Sequence, residues 1–427
     1  MWSTHHLYVD GWSWPLVLAD VGRAYQAALR GAEPAAPAPC RYRAYIAWLH
    51  GGASDGAQAF WADHLQGVTA PTPLPGGGGA GTGISEATAS LDPAVADGLQ
   101  RRARSSRVTP STLVQAAWAL LLGHFAARPD VVFGAAFSGR PAELEGVETL
   151  VWPCVNNVPV RVRIDADRPV SACLADLHGA QADVAQHQYA SLADIQRWAG
   201  VPWRSRLFDS LVVFQNYLVD DAVLDWGPIT VAPEGEPEQT AYPLTLTVTP
   251  RGRFEVKVAG RGAQADPDLL ARVLSGLTTL LEALAGPADP SLRELQGLLD
   301  PAWRGSAAAP EPPRPRPAAP SAPAGETERV VAEVWQELFG LEQIGVEENF
   351  FDLGGQSILL VQAHERLRER LGVDLPVVAL LQFPTIRSLA RHLSGDAADA
   401  TAISASQDRA AKQRQAFARQ RQRIRRP

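Results

Sequence analysis

Lysine is almost missing from this chain of 427 residues: Lys257 and Lys412 are the only two, so arginine supplies 37 of its 39 basic side chains. With 36 glycines and 34 prolines, that bias reads as a GC-rich genome rather than as chemistry. Cysteine is scarce too. Cys40, Cys154 and Cys173 are too few and too scattered for a disulfide framework or a zinc site, so no metal is expected. No apolar run reaches the roughly eighteen residues of a transmembrane helix. The start, Met1-Trp2-Ser3-Thr4-His5-His6, lacks the basic and apolar regions of a secretory signal. These absences predict a cytoplasmic protein with no membrane partner.

What is present divides unevenly. The net charge is -7, yet Gln407 to Pro427 holds eight basic residues and one acid, a local +7, which leaves -14 on the other 406 residues. An acidic body with a basic tail argues against uniform nucleic-acid coating. At 46% hydrophobic and 20% charged residues, the length predicts two or three globular domains. The sharpest boundary is Gly305 to Ala324, GSAAAPEPPRPRPAAPSAPA, with seven prolines in twenty residues and no large apolar side chain. Such a stretch buries too little to fold and favours polyproline II, making it a tether. We therefore assign 1–288 to a first domain, 289–324 to a Pro/Ala-rich linker, 325–395 to a second domain and 396–427 to a basic tail.

Residues 1–288 mix helical and strand patterns. Ser111 to Phe125 predicts an apolar helix, and Val131 to Phe137, Val155 to Ile164 and Leu207 to Tyr217 predict strands. Tyr242 to Thr249 and Arg253 to Val258 predict a further pair, and Asp268 to Leu284 an amphipathic closing helix. The domain is expected to be α/β with a mixed sheet. Gly76 to Gly83 lacks the Lys-Ser/Thr of a phosphate loop and reads as a connector. Gly52 to Gly56 fits a nucleophile-elbow spacing, but no buried strand precedes it. In 325–395 three helices are expected, from a Thr327 cap, from Ser357 and from a Thr385 cap, with Gly372 ending the second. His364 is expected to face solvent.

Two segments carry chemistry. In His5-His6-Leu7-Tyr8-Val9-Asp10-Gly11, a neutral imidazole can take a proton from an attacking amine or hydroxyl, or orient it. The carboxylate can hold local geometry through an arginine, and a glycine lets backbone approach a reacting carbonyl. Spacing alone is met equally by two surface histidines near a frayed terminus. In Phe350-Phe351-Asp352-Leu353-Gly354-Gly355-Gln356-Ser357 a serine stands at the mouth of a helix. It can be a plain N-cap, or a modified hydroxyl whose phosphodiester meets free N–H groups and a positive dipole.

The first domain resembles the condensation domain of nonribosomal peptide synthetases, of the chloramphenicol-acetyltransferase-like superfamily. HHLYVDGWS matches the HHxxxDG signature, and Tyr42 to Trp48 resembles the next motif, with Ala44 in place of the usual acid. FSGRPAELEGVE (Phe137 to Glu148), VNNVPVRV (Val155 to Val162) and LFDSLVVFQNY follow in family order. The resemblance implies that His6, beside His5, is the catalytic position, as general base or as positioner of the acceptor. It implies a structural ion pair for Asp10, with Arg140 as candidate partner, and backbone at Gly11 near the developing oxyanion. Asn156 aligns with an asparagine of the interlobe contact; Trp152 and Cys154 are ordinary packing or channel-shaping residues. Paired histidines disfavour heterocyclisation, and the order of domains disfavours epimerisation. In the family the signature follows most of a first lobe, whereas here it begins at position five. A fragment of a longer product, a lobe completed by another polypeptide or a domain without catalysis are the three expectations, the first being favoured.

FFDLGGQS and the block around it resemble a peptidyl or acyl carrier, a four-helix bundle whose serine, here Ser357, receives 4′-phosphopantetheine. The resemblance implies a phosphopantetheinyl transferase, an upstream carrier protein as donor and a separate adenylation or loading enzyme, since about forty residues between Leu284 and Gly325 cannot hold an adenylation domain. The tail reads either as solvated chain or as a docking helix for a downstream synthetase or polyketide module; it lacks the aromatic interleaving of an RNA binder. The expected function is a condensation–carrier didomain that forms an amide, or an ester, in secondary-metabolite biosynthesis. Alternatives are a carrier and docking protein with an inert first domain, or a free-standing acyltransferase of the same superfamily.

Overall fold

The structure is a computed structural model that describes residues 8–33, 40–52, 56–76, 83–202, 205–216, 226, 229, 231, 240–250, 254–307, 322–341, 343–350, 353, 355, 357–373 and 375–394, with backbone alone at 357, 358 and 378. The chain forms two compact units, Met1–Pro313 and Arg314–Pro427. Among the described residues no helix is long and apolar enough to cross a membrane.

The first unit opens with α1 (Ser13–Leu29), α2 (Tyr42–His50) and α3 (Ala57–His64). Then come β1 (Ile84–Ser90), α4 (Pro93–Ser106), α5 (Pro110–Ala126), β2 (Asp130–Phe137) and β3 (Asn156–Arg163). They are followed by α6 (Val170–Gln186), α7 (Leu192–Trp198), β4 (Ser210–Phe214), β5 (Leu244–Thr249), β6 (Glu255–Arg261), α8 (Pro267–Ala285) and the short α9 (Leu292–Gln296). The strands form one mixed sheet in the order β1-β6-β5-β4-β2-β3, with β4 parallel to both of its neighbours.

The core follows from residue type. α5 is apolar on every side, so it must be enclosed, and every residue from Thr112 to Phe125 is buried. Its start is set by Thr109, whose hydroxyl accepts the Thr112 N–H, and by Pro110 in the first turn. β2 serves both faces of the sheet by alternation: Val131, Phe133 and Ala135 join the large core with α5 and α8, while Val132 packs with Trp61 of α3, Val158 and Phe208. A Cβ at Gly134 would fall on the Phe208 ring, so only glycine lets that aromatic cross the strand.

β1 was not legible from apolar pattern, because ISEATAS is a polar edge strand. β4 is also shorter than expected. The unit continues past residue 288: Ser291 and Glu294 form a capping box, Leu292, Leu295 and Leu299 enter the core, and Trp303 stacks on Phe125. Ala307 still donates to the Phe125 carbonyl. Residues 289–307 therefore pack with the first unit instead of belonging to the linker.

The second unit has α10 (Glu326–Phe339), α11 (Ser357–Leu371), α12 (Val377–Gln382) and α13 (Ile386–Leu393). Trp335 and Phe339 of α10 meet Phe350 edge-on, each with ring centroids 5.1 Å away. Thr385 and Ser388 cap α13 reciprocally, and Gly372, at φ 62°, follows α11. Gly325, not Thr327, occupies the cap position of α10. His364 is half-buried and bonds the Leu375 carbonyl, tying α11 to the segment before α12, so it is not a solvent-facing residue.

Candidate active site

Asp10 and Gly11 form the turn that leads into α1. Asp10 Oδ1 accepts both the Ser13 N–H at 2.9 Å and the Ser13 hydroxyl at 2.8 Å. Across from it, the segment leaving β2 carries Arg140, whose Nη1 donates to Asp10 Oδ2 at 2.8 Å and Nη2 to Oδ1 at 3.1 Å. Both side chains are buried, with 7% and 6% of their surface exposed, so the two charges interact with little screening. The Cys154 N–H also donates to Asp10 Oδ2, at 3.0 Å. Arg140 Nη1 also donates to the Ser138 carbonyl and Nη2 to those of Leu150 and Trp152, while its buried Nε finds no partner among the described residues. Burial pushes the Asp10 carboxyl up, but the hydrogen bonds and charge of Arg140, with Ser13 and the Cys154 amide, outweigh it and hold the group below its ordinary value.

The arrangement pins three stretches of chain to one carboxylate: the turn before α1, the segment after β2 and the approach to β3. Gly139, at φ 62°, makes this possible, because a Cβ there would fall on the Cys154 carbonyl oxygen. The Tyr45 hydroxyl of α2 donates to the Gly139 carbonyl at 2.9 Å, and the Gly139 N–H donates to Gln188 Oε1 at 3.0 Å. Asn156, at the start of β3, donates through Nδ2 to the carbonyls of Gln188 and Ala190. Trp152 and Tyr42 lie ring on ring, 3.9 Å between centroids.

Cys154 is no nucleophile here: burial pushes its thiol up to about 12, so it stays protonated at neutral pH. Among the described residues no group of three or more His, Cys, Asp or Glu side chains is placed to hold a metal. His5 and His6 lie outside the described residues, as do Leu7 and the residues before them. The described chain resumes at Tyr8, two residues before Asp10. Ser13 and Gln188 are contributors that sequence reasoning missed, and Tyr45 was placed in a motif without a role. The Asp-x-x-Ser spacing is a local capping signal that could have found Ser13. Tyr45 and Gln188 reach Gly139 only through tertiary packing.

In the second unit, Ser357 is the first residue of α11, and its side chain lies outside the described part of the chain. The chain reaches it by doubling back on Phe350: the Gly355 N–H donates to the Phe350 carbonyl at 2.9 Å, and a Cβ at Gly355 would fall on the Phe350 ring. A helix of fifteen residues starts there, and the first N–H groups of any helix lack internal acceptors. Backbone position and glycine approach thus fit a phosphodiester on residue 357.

Comparisons with known proteins agree with this layout. The Condensation domain family matches residues 1–301, and the Phosphopantetheine attachment site family matches residues 329–393. Chondramide synthase cmdD of Chondromyces crocatus is 39% identical over 253 residues, 58% of this chain and 6% of that protein. A linear gramicidin synthase protein of Brevibacillus parabrevis is 36% identical over 301 residues, 69% of this chain and again 6% of that protein. The chain therefore matches only a small part of each of these relatives. Among solved structures, the first condensation domain of the calcium-dependent antibiotic synthetase, in complex with a substrate analogue, superposes with a TM-score of 0.56 at 18% identity, covering 68% of this chain and 65% of that one. The X-domain from teicoplanin biosynthesis gives the same TM-score at 22% identity, covering 70% of each chain. At these identities the two structures speak to the fold.

Proposed function

The chain belongs to the condensation-domain family and carries a phosphopantetheine attachment domain, and from that premise we propose that it joins an upstream acyl or peptidyl group to an acceptor held at Ser357. The acceptor amine attacks the donor thioester carbonyl; a C–N bond forms as the C–S bond breaks. His6 orients the amine and takes its proton, which returns to the departing thiolate. A hydroxyl acceptor gives an ester by the same sequence. The backbone around Gly11 faces the developing oxyanion.

The observation that carries this reading is the buried Asp10–Arg140 pair. It fixes the chain four residues after His6 against two other segments, as a positioned imidazole requires. Asp10 is a structural anchor with no proton to exchange, since its carboxyl is held ionised. Phosphopantetheine, when attached, supplies a thiol on a long arm that holds the acceptor as a thioester. The chain's own part is to offer Ser357 at the open end of α11, with Gly355 folded tightly over Phe350.

The two domains imply a phosphopantetheinyl transferase and other synthetase domains as partners. More specifically, we assign the donor role to an upstream carrier protein, loading to a separate adenylation or loading enzyme, and docking to a downstream synthetase or polyketide module to the tail, 396–427, which lies outside the described residues. The test begins with coenzyme A and a phosphopantetheinyl transferase. Intact-mass analysis should show one arm added, and none on Ser357→Ala. Donor and acceptor thioesters are then supplied, and His6→Ala should slow amide formation about 100-fold or more. Equal rates for His6→Ala and the parent would leave the first domain without a catalytic role.

A further inference from the structure

We propose that Tyr45 is a positioning residue for acyl transfer: with Gln188 it clamps Gly139 from both sides and so presets the arginine that grips Asp10. The inference rests on the function proposed above and adds a residue to it. Gly139 stands in left-handed backbone, at φ 62°, immediately before Arg140. Its two polar backbone groups are both taken by side chains from distant elements. The carbonyl accepts the Tyr45 hydroxyl of α2 at 2.9 Å, and the N–H donates to Gln188 Oε1, between α6 and α7, at 3.0 Å. Tyr45 and Gln188 are 5% and 7% exposed, so neither bond competes with water.

The direction of each bond is determined. Gln188 Nε2 donates to the Ala185 carbonyl at 2.8 Å, which leaves Oε1 as the acceptor for Gly139. Burial pushes the Tyr45 phenol far up, so it remains a donor at every working pH. One residue further on, the guanidinium holds Asp10 by two bonds, and Asp10 in turn holds the amides of Ser13 and Cys154. Among the described residues, Tyr45 makes no hydrogen bond to Asp10, Gly11 or Arg140 themselves. Its described contacts reach Asp10 by two short routes, through Gly139 and Arg140 and through Cys154, whose amide Asp10 holds; both end on the same carboxylate.

That shared end makes a double-mutant cycle decisive. Tyr45→Phe removes one oxygen and keeps the ring. In the holo full-length chain, kcat should fall about five- to tenfold, the scale of one buried hydrogen bond, with KM for the donor thioester unchanged. In an Asp10→Asn background the same change should have no further effect, because its path is already broken. Gln188→Met, which removes the opposite tie, should show the same non-additivity and guards against a Tyr45 variant that fails to fold. Hydrogen exchange gives a readout free of activity: the Ser13 and Cys154 amides should exchange faster in Tyr45→Phe, while those of α5 stay protected. Additive losses of kcat, or unchanged exchange at Ser13 and Cys154, would overturn the proposal. A parent chain that makes no product would instead overturn the function proposed above, and the exchange result would still decide the clamp.

Discussion

At the scale of single residues, the site is organised by one carboxylate. Asp10 accepts five hydrogen bonds from Ser13, Arg140 and Cys154, and removing one partner of a buried ion pair usually costs about 3–5 kcal/mol. Arg140→Ala should therefore lower the unfolding midpoint in denaturant clearly; a shift within error would show that the pair contributes little. The pH dependence has a fixed sign. Because the folded carboxyl is held below its ordinary value, its stabilisation is full above the unfolded pKa, near 3.9, and is lost as pH falls through the folded one. The stability gap between the parent and Asp10→Asn should thus be flat across neutral pH and close only in acid. His64 acts in the same direction but closer to neutral pH. Burial, with Arg161 and Arg163 nearby, lowers its pKa, so it resists charging in the folded state. As pH drops below about 6.5 the unfolded chain takes up a proton that the folded chain refuses, and stability falls. His64→Gln should lose part of that acid sensitivity in thermal melts between pH 7 and pH 5; identical slopes would contradict it.

At the scale of elements, the legible parts of the sequence were those whose pattern is local. α5 and α8 are long, apolar and capped, β2 is a continuous apolar run, and the structure has all three within one or two residues of the expected limits. β1 escaped because the only apolar side chains it turns to the core are the small Ala87 and Ala89, and 289–307 escaped because its short leucine contacts join a core built by residues far earlier in the chain. The same division holds at the site. Asp10, Arg140 and Ser357 stand in recognisable motifs, and so does Tyr45, but the partner of Tyr45 and the whole part of Gln188 are set only when α2 and the α6–α7 connection close on Gly139. In the carrier, the approach to α11 depends on Gly355 lying against Phe350. Gly355→Ala adds a methyl group where that ring sits, so the second unit should lose about 1–3 kcal/mol and accept phosphopantetheine more slowly. Calorimetry and the rate of mass gain with coenzyme A would check this; a variant modified at the parent's rate would show that the glycine is dispensable.

At the scale of the whole molecule, a condensation domain and its carrier share one chain, and the identity with known synthetases spans about 6% of the length of the relatives first matched. The carrier region Glu326 to Gly395 holds eleven acids against six arginines, several of them paired, as in Arg370 with Glu337 and Arg366 with Glu337. Loading by a separate enzyme predicts that the holo chain, given ATP and amino acids alone, gains no mass at Ser357. The most direct measurement is single-turnover transfer onto the chain's own arm. The holo protein is loaded with an aminoacyl group at Ser357, mixed with an isotopically marked acyl donor on a separate carrier, and followed by intact mass. The account predicts that the marked acyl group appears on Ser357 in the parent and is lost in His6→Ala and strongly slowed in Arg140→Ala. Transfer at the parent's rate in His6→Ala, or no transfer in a fully loaded parent, would contradict it.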